Sequence, residues 1–207
     1  MDKLDQALHA CPVIAILRGL LPQNAVAVGE ALVKAGIRII EVPLNSPEPL
    51  ESVRRLAQWA GPELIVGVGT VLTVEQVKQT KQAGAQIVLA PNADPAVIRQ
   101  TRLLSMFSVP GVATPSEGFA ALQAGADALK LFPAETIGPV GLKAWRSVFD
   151  QGVRFLPVGG VSAQNARDYL NAGAAGLGAG SSIFAPGDTP EVVFDKAQRI
   201  VNACVSR

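Results

Sequence analysis

Short apolar runs alternate along the chain with segments whose apolar residues recur every three or four positions, a pattern typical of strands alternating with amphipathic helices. Four of the helical segments end in an Ala-Gly pair followed by Ile or Ala, with the glycines at positions 36, 84, 125 and 173. Glycine at that point is typical of a left-handed helix C-cap. An apolar run follows each pair, and these runs are predicted to be buried strands at residues 39–44, 87–91, 129–133 and 175–180.

The four glycines lie 41 to 48 residues apart, which leaves room for two strand–helix units in each interval. The intervening strands are predicted at residues 12–17, 64–68, 106–109 and 153–158. The helices are predicted at residues 22–35, 47–60, 73–83, 94–104, 115–124, 138–150, 162–172 and 189–205, after a short N-terminal helix within residues 1–10. This order predicts one α/β domain over residues 1–207, a (β/α)8 TIM barrel. An open doubly wound sheet is the alternative, and eight units in so short a chain favour closure, which leaves no sheet edge exposed.

The composition suits buried strands covered by helices, with 49% apolar residues, 17% charged residues and a formal net charge of +1. Such an even charge balance argues against a nucleic-acid partner, and no apolar run is long enough to span a membrane. The first ten residues lack the apolar core of a signal peptide, and Cys11 and Cys204 are expected to be reduced thiols, so the predicted location is cytoplasmic. One histidine and two distant cysteines cannot supply the usual ligands of zinc. A magnesium site is not excluded by the number of carboxylates, but they do not cluster, and we expect neither a metal nor another cofactor.

Lys130 is the only lysine embedded in an apolar run, in the sixth predicted strand. Because side chains alternate along a strand, Lys130 shares a face with Ala128 and Phe132, and the neighbouring leucines face the helices. A desolvated amine has a lowered pKa and can attack carbonyl groups at neutral pH, so Lys130 is predicted to be a catalytic nucleophile. The alternative is a structural lysine that pairs with a buried carboxylate or reaches the rim.

Glu41 lies in a second apolar run and is predicted to face inward together with Ile39 and Pro43. A buried carboxyl group has a raised pKa and can transfer protons, so Glu41 is predicted to be the catalytic acid and base. The alternative is an ion pair with Lys130 and no further role, although a lone buried ion pair contributes little stability.

Two polar residues end other predicted strands, where the active site of such a barrel lies. Arg18 ends the first strand and is predicted to bind a substrate anion, with a solvated rim arginine as the alternative. Thr70 ends the third strand and could donate a hydrogen bond to a carboxylate or carbonyl group, or could simply cap the next helix.

Two glycine-rich turns follow the last two predicted strands. The first contains Gly159 and Gly160, and the second contains Gly180 followed by Ser181. Glycine lets backbone N–H groups approach a phosphate closely, and this pair of turns is the usual phosphate position in barrels of this class. The whole inventory suits imine formation with a keto acid that carries a phosphate.

Six strings resemble those of the 2-keto-3-deoxy-6-phosphate sugar-acid aldolases, in order from about residue 12 to about residue 185. They are IAILRG (14–19), EVPLNSP (41–47), GTVL (69–72), PGVATP (110–115), LKLFP (129–133) and VGGV (158–161). The resemblance implies a class I aldolase that splits a 2-keto-3-deoxy-6-phospho-aldonate into pyruvate and D-glyceraldehyde 3-phosphate, in a homotrimer. It also implies that Lys130 forms the imine, that Glu41 moves protons and that Thr70 holds the pyruvyl carboxylate. The implied phosphate ligands are Gly159, Gly160, Gly180 and Ser181.

The family has two branches, whose sequences differ from each other at two places that can be compared with this chain. The gluconate-derived branch typically reads Glu-Val-Thr-Leu-Arg-Thr where this chain has residues 41–46, and it tends to carry threonine in place of Val158. The galactonate-derived branch is similar to this chain at both places, so we expect the phosphogalactonate branch. Asn45 and Val158 are therefore the candidate specificity residues, and Asn45 in place of arginine shifts a share of the expected carboxylate binding to Arg18.

Three alternatives stay open at the level of the sequence. The first is the same reaction on the gluconate epimer, which differs at one hydroxyl-bearing carbon. The second is another phosphate-binding barrel, such as a sugar-phosphate epimerase or a thiazole-phosphate enzyme, although such enzymes need a second carboxylate or a metal at the strand ends. The third is a non-catalytic sensor of phosphorylated metabolites, for which Lys130 forms no imine.

Overall fold

The computed structural model describes residues 1–205, which form an α/β fold of parallel strands alternating with helices. The strands are β1 (Val13–Ile16), β2 (Ile39–Pro43), β3 (Ile65–Gly69), β4 (Ile87–Leu89), β5 (Phe107–Val109), β6 (Gly111–Val112), β7 (Leu129–Leu131), β8 (Phe155–Pro157) and β9 (Leu177–Ala179). The helices are α1 (Lys3–Ala10), α2 (Ala25–Lys34), α3 (Pro49–Trp59), α4 (Val74–Gln82), α5 (Pro95–Leu103), α6 (Pro115–Gln123), α7 (Ala134–Arg146), α8 (Ala166–Asn171) and α9 (Pro190–Val205), with a 3-10 turn at Pro22–Asn24.

The strands form two parallel sheets, one in the order β5-β4-β3-β2-β1-β9 and the other in the order β6-β7-β8. Backbone hydrogen bonds join the sheets on both sides. The Asp127 N–H donates to the Ser108 carbonyl of β5 at 2.9 Å, just before β7 begins. On the other side, an isolated parallel bridge pairs Val158 after β8 with Gly178 of β9.

The buried apolar residues form two clusters, one on each face of the strands. The inner cluster contains Ile14, Ile39 and Ile65, which are aligned by the register of β1, β2 and β3. Ala128 belongs to the inner cluster, whereas Leu129 and Leu131 belong to the outer cluster beneath the helices. The predicted period-two alternation around Lys130 is therefore confirmed.

The helix α1 lies at the amino-terminal ends of the strands and adds Leu4, Ala7 and Leu8 to the inner cluster. It begins at an Asp2 N-cap, and salt bridges of 2.7 Å join Arg154, just before β8, to Asp2 and to Asp5. The predicted N-terminal helix is thus present, and its apolar face packs against the interior of the sheet.

Three predicted boundaries need correction. The fifth strand is interrupted at Pro110, which has no N–H to donate, and continues as the two-residue β6. Helix α7 begins at Ala134 rather than 138, with a kink at Gly138, because the residue before a proline (here Pro139) disfavours the helical conformation. Helix α8 covers only Ala166–Asn171 rather than 162–172.

Three expectations about the chain can be compared with the described residues. Among residues 1–205 no helix combines the length and the apolar character needed to cross a membrane. Cys11 and Cys204 are both unpaired and buried, as expected for reduced thiols. In the same described part of the chain, no three His, Cys, Asp or Glu side chains form a group suited to a metal ion.

Candidate active site

Lys130 projects from β7 into the space enclosed by the sheets and is only 7% exposed. Its ammonium nitrogen lies 4.7 Å from the centre of the Phe132 ring, on the same face of the strand. Burial lowers the pKa of Lys130, the charge of Glu41 acts in the opposite direction, and the positive charge of Arg18 lowers the pKa further. A larger share of this lysine is therefore the neutral, nucleophilic amine at neutral pH than for an exposed lysine.

Glu41 lies in β2, opposite Ile16 of β1 and Gly67 of β3, and is 2% exposed. Burial raises its pKa to about 7, against the opposing influence of Lys130 and, to a smaller extent, of Arg18. Its Oε2 atom is buried without a hydrogen-bond partner. No salt bridge of 4 Å or less joins Glu41 to Lys130 in the described part of the chain, although the charge of each influences the pKa of the other.

The carboxyl group of Glu41 fits because β3 has a glycine beside it. A Cβ atom at Gly69 would lie within 2.6 Å of the Glu41 carboxyl carbon and of Oε1, and closer still to Oε2. Such separations are far below ordinary van der Waals contact. Any side chain at residue 69 would thus displace the carboxyl group from its present place.

Thr70 follows β3 and has a left-handed backbone, with φ at 58°. A β-branched residue rarely adopts this conformation, which costs on the order of 1–3 kcal/mol and tends to be found at functional sites. Thr70 is also partly exposed on the cavity, so a strained residue lies at the carboxyl end of the strand next to Glu41.

Arg18 lies on the rim of the cavity, at the end of β1. Its guanidinium donates a hydrogen bond to the side-chain oxygen of Asn45. Next to this pair, the Gly19 N–H donates to the Ser46 hydroxyl at 3.0 Å, so the segments after β1 and β2 are joined twice. Asn45 does not line the cavity, and its contact with the site is through Arg18.

The two glycine turns lie across the cavity from these residues. Gly159 and Gly160 both have positive φ values, 106° and 66°, which glycine adopts without steric cost. Gly180 and Ser181 follow β9, whose Gly178 pairs with Val158 at the start of the first turn.

A single cavity of about 560 Å³ brings together nine of the ten predicted site residues, all except Asn45. These nine are Arg18, Glu41, Thr70, Lys130, Val158, Gly159, Gly160, Gly180 and Ser181. The cavity also has polar lining that sequence reasoning missed, from Ser162 and Ser182. Both serines lie within the predicted glycine-rich turns, at residues 158–162 and 176–182, but neither was predicted to bind the substrate.

The bottom and the mouth of the cavity carry different chemical groups. At the bottom lie an amine with a lowered pKa and a carboxyl group that titrates at about 7, a pair suited to imine formation and proton transfer. Toward the mouth lie the arginine, the serines and the glycine turns, which suit the binding of anionic groups.

The model of the KDPG and KHG aldolase family matches residues 4–199. The curated "Probable 2-dehydro-3-deoxy-6-phosphogalactonate aldolase" of Rhizobium meliloti is 43% identical over 187 residues, which is 90% of this chain and 88% of that protein. A solved structure described as native KDPGal has a TM-score of 0.91 and 39% identity, with 93% of each chain covered. The KDPG aldolase of Legionella pneumophila, solved with pyruvate as a covalent carbinolamine intermediate, has a TM-score of 0.82 and 29% identity, over 99% of this chain and 97% of that one.

Proposed function

The chain belongs to the KDPG and KHG aldolase family, and from that premise we propose that it is a class I aldolase that reversibly cleaves 2-dehydro-3-deoxy-6-phospho-D-galactonate into pyruvate and D-glyceraldehyde 3-phosphate. The observation that carries the proposal is the buried Lys130 amine in one cavity with the unpartnered carboxyl group of Glu41. The similar Legionella pneumophila enzyme, with its covalent pyruvate carbinolamine, supports the imine route.

The proposed reaction begins when the neutral Lys130 amine attacks the C2 ketone to give a carbinolamine, whose hydroxyl group takes a proton from solvent and departs as water, which leaves a protonated imine. The C3–C4 bond then breaks, its electron pair moves toward the iminium, and Glu41 accepts the proton of the C4 hydroxyl as the aldehyde forms. Glu41 returns the proton to C3 of the resulting enamine, and water hydrolyses the pyruvate imine. The iminium is the electron sink, so none of these steps needs a metal or an organic cofactor.

The ends of the substrate are anions, and we propose a separate set of groups for each. Thr70 and Arg18 are proposed to hold the carboxylate beside Lys130, with Asn45 orienting the arginine. The turns that contain Gly159, Gly160, Gly180 and Ser181 are proposed to hold the phosphate through backbone and hydroxyl donors.

The choice of the galactonate epimer is proposed from Val158 and Asn45, and the similarity to the Rhizobium meliloti relative supports it. Comparison of kcat/KM on the two 6-phosphates tests this choice. We expect the galactonate epimer to be preferred, and we expect Val158→Thr to shift the ratio toward the gluconate epimer by about tenfold, since one hydroxyl group contributes a hydrogen bond of that size. A preference of the unchanged enzyme for the gluconate epimer would contradict the proposal.

We also propose that the two sheets form one closed (β/α)8 barrel, supported by the backbone hydrogen bonds at both junctions. A homotrimer is proposed from the family resemblance, and exposed apolar side chains on α6 and after α7, such as Phe119 and Val148, support association between subunits. Light scattering on the purified protein measures the oligomer directly. The unpaired thiols of Cys11 and Cys204 support a cytoplasmic location.

The decisive experiment is reduction with borohydride in the presence of pyruvate, followed by mass spectrometry of peptides. We expect a pyruvyl adduct on Lys130, its loss in Lys130→Met, and its retention in Lys143→Met, which removes an exposed lysine of α7. A protein that binds phosphate but forms no adduct on Lys130 would be a sensor of phosphorylated metabolites rather than an aldolase.

A further inference from the structure

The turn after β8 is held by a side chain that lies outside the cavity. The amide nitrogen of Asn165 donates to the Gly160 carbonyl at 2.9 Å, and its amide oxygen accepts from the Ser162 N–H, also at 2.9 Å. Asn165 is absent from the cavity lining, whereas residues 159–162 all line it. One side chain therefore joins two backbone groups of the turn from behind.

Hydrogen bonds from outside the turn are needed to order it, because its first two residues have little conformational restraint of their own. Gly159 and Gly160 have left-handed backbones and no side chains that could pack. Glycine loses more conformational freedom on ordering than any other residue. A second restraint comes from the Ser182 hydroxyl, which donates to the Val161 carbonyl at 2.7 Å.

The hydrogen bond to Gly160 also fixes the direction of the next N–H group. In a trans peptide, the carbonyl of one residue and the N–H of the following residue point to opposite sides. With the Gly160 carbonyl held toward Asn165, the Val161 N–H points away from Asn165, and Val161 is part of the cavity lining. The Ser162 N–H, by contrast, is already engaged by Asn165.

We propose that Asn165 is a positioning residue for the phosphate group of the substrate: it orients the turn at residues 159–162 so that backbone N–H groups face the phosphate, without contacting the substrate itself. The inference rests on the proposed aldolase function and assigns a supporting residue to its phosphate end. It predicts that loss of Asn165 weakens recognition of the phosphate and leaves the pyruvate end unchanged.

The test compares D-glyceraldehyde 3-phosphate with unphosphorylated D-glyceraldehyde as acceptors for pyruvate in the direction of synthesis. In Asn165→Ala we expect KM for the phosphorylated aldehyde to rise about tenfold or more, because two hydrogen bonds of ordinary strength are lost. The unphosphorylated aldehyde should be used nearly as before, so the ratio of the two kcat/KM values falls. Formation of the Lys130–pyruvate adduct should not change.

The matched control is Asn171→Ala, which removes an exposed asparagine from the far end of the helix α8 that follows Asn165, and should leave the ratio unchanged. If Asn165→Ala does not fold, Asn165→Ser serves instead: its hydroxyl can both donate and accept but is held on a shorter side chain, so we expect weaker hydrogen bonds to the turn and a smaller loss than for alanine. Equal losses on both aldehydes, or an unchanged ratio, would overturn the proposal.

A calorimetric titration with inorganic phosphate tests the role of Asn165 independently of the proposed aldolase function. If the unchanged protein formed no pyruvate adduct, the proposed aldolase function would be refuted. The phosphate titration of the unchanged and Asn165→Ala proteins would still measure the effect of Asn165 on phosphate binding. We expect the affinity of the variant for inorganic phosphate to fall by about tenfold, and equal affinities would refute the role of Asn165.

Discussion

Replacement of Gly69 by alanine should impair Glu41 by displacing its carboxyl group, although no residue that lines the cavity is itself replaced. The new Cβ would lie within 2.6 Å of the Glu41 carboxyl carbon and Oε1, and nearer still to Oε2. Real contacts of a Cβ atom are essentially never shorter than 3.0 Å, so the carboxyl group must retreat by roughly 0.5–1 Å. The backbone of Gly69 is that of an ordinary strand residue, so alanine brings no strain of its own there.

A misplacement of about 1 Å at a catalytic group can lower a rate by about 100-fold. Overpacking of a filled interior costs on the order of 1–3 kcal/mol of the free energy of unfolding. For Gly69→Ala we therefore expect a moderate loss of stability and a loss of about 100-fold in every step that needs Glu41. Formation of the imine at Lys130 should change much less.

The most direct assay is exchange of the pyruvate methyl hydrogens in heavy water, followed by NMR. This exchange requires the imine and the proton transfer of Glu41, but it requires neither the aldehyde nor the phosphate. Borohydride trapping of pyruvate measures the imine alone. Together the two assays separate a displaced carboxyl group from a damaged amine.

Gly67→Ala is the matched control, because it overpacks the same strand with its nearest contacts to Ile87 rather than to Glu41. A Cβ atom at Gly67 would lie 2.7 Å from the Ile87 carbonyl oxygen, and nearer still to the Ile87 side chain. We expect a similar or larger loss of stability, with proton exchange within a few fold of normal. In a Glu41→Asp background the shorter side chain removes the collision, so Gly69→Ala should cost little further activity. Normal exchange in Gly69→Ala, or equally slow exchange in Gly67→Ala, would refute this reasoning.

Three further predictions follow from the titration of Glu41 and the backbone of Thr70. Proton exchange should fall as the pH drops through about 7, the pKa to which burial raises Glu41, because only the ionised carboxylate accepts a proton; a rate that is constant from pH 5 to 9 would contradict this role. Since this folded pKa lies above the ordinary value of 4.5, ionisation costs stability progressively as the pH rises from 4.5 to 7. Glu41→Gln should therefore gain on the order of 3 kcal/mol relative to the unchanged protein between pH 4 and pH 8, measured by urea unfolding. Thr70→Asn should raise the free energy of unfolding by about 1 kcal/mol, because asparagine adopts left-handed backbones more readily, and should raise KM for pyruvate about tenfold; a lower stability would show that Thr70 is not strained.

The orientation of the two deepest residues could be predicted from the sequence because it depends on local alternation. Lys130 and Glu41 each interrupt an apolar run, and the period of a strand decides which face they share with their neighbours. The inner position of Ala128 and the outer positions of Leu129 and Leu131 confirm that alternation.

The supporting residues could not be predicted, because their roles depend on contacts between distant segments. Gly69 has the appearance of a turn glycine in the sequence, and its importance for Glu41 is visible only when β2 and β3 lie side by side. Asn165 falls within the predicted helix 162–172, whereas the structure begins α8 at Ala166 and leaves Asn165 to bind the preceding turn. The interruption of β5 at Pro110 could not be predicted either, because it depends on how that proline is placed relative to the neighbouring strands.

The packing of α1 against the inner apolar cluster leads us to expect a fixed order of events in the proposed catalytic cycle. With Leu4 and Leu8 filling the amino-terminal end of the interior, the cavity communicates with solvent through its opposite mouth. If the pyruvyl portion is bonded to Lys130 at the bottom, as proposed, it lies behind the aldehyde portion. We therefore expect pyruvate to enter before the aldehyde in synthesis and the aldehyde to depart before pyruvate in cleavage, which is an ordered kinetic sequence.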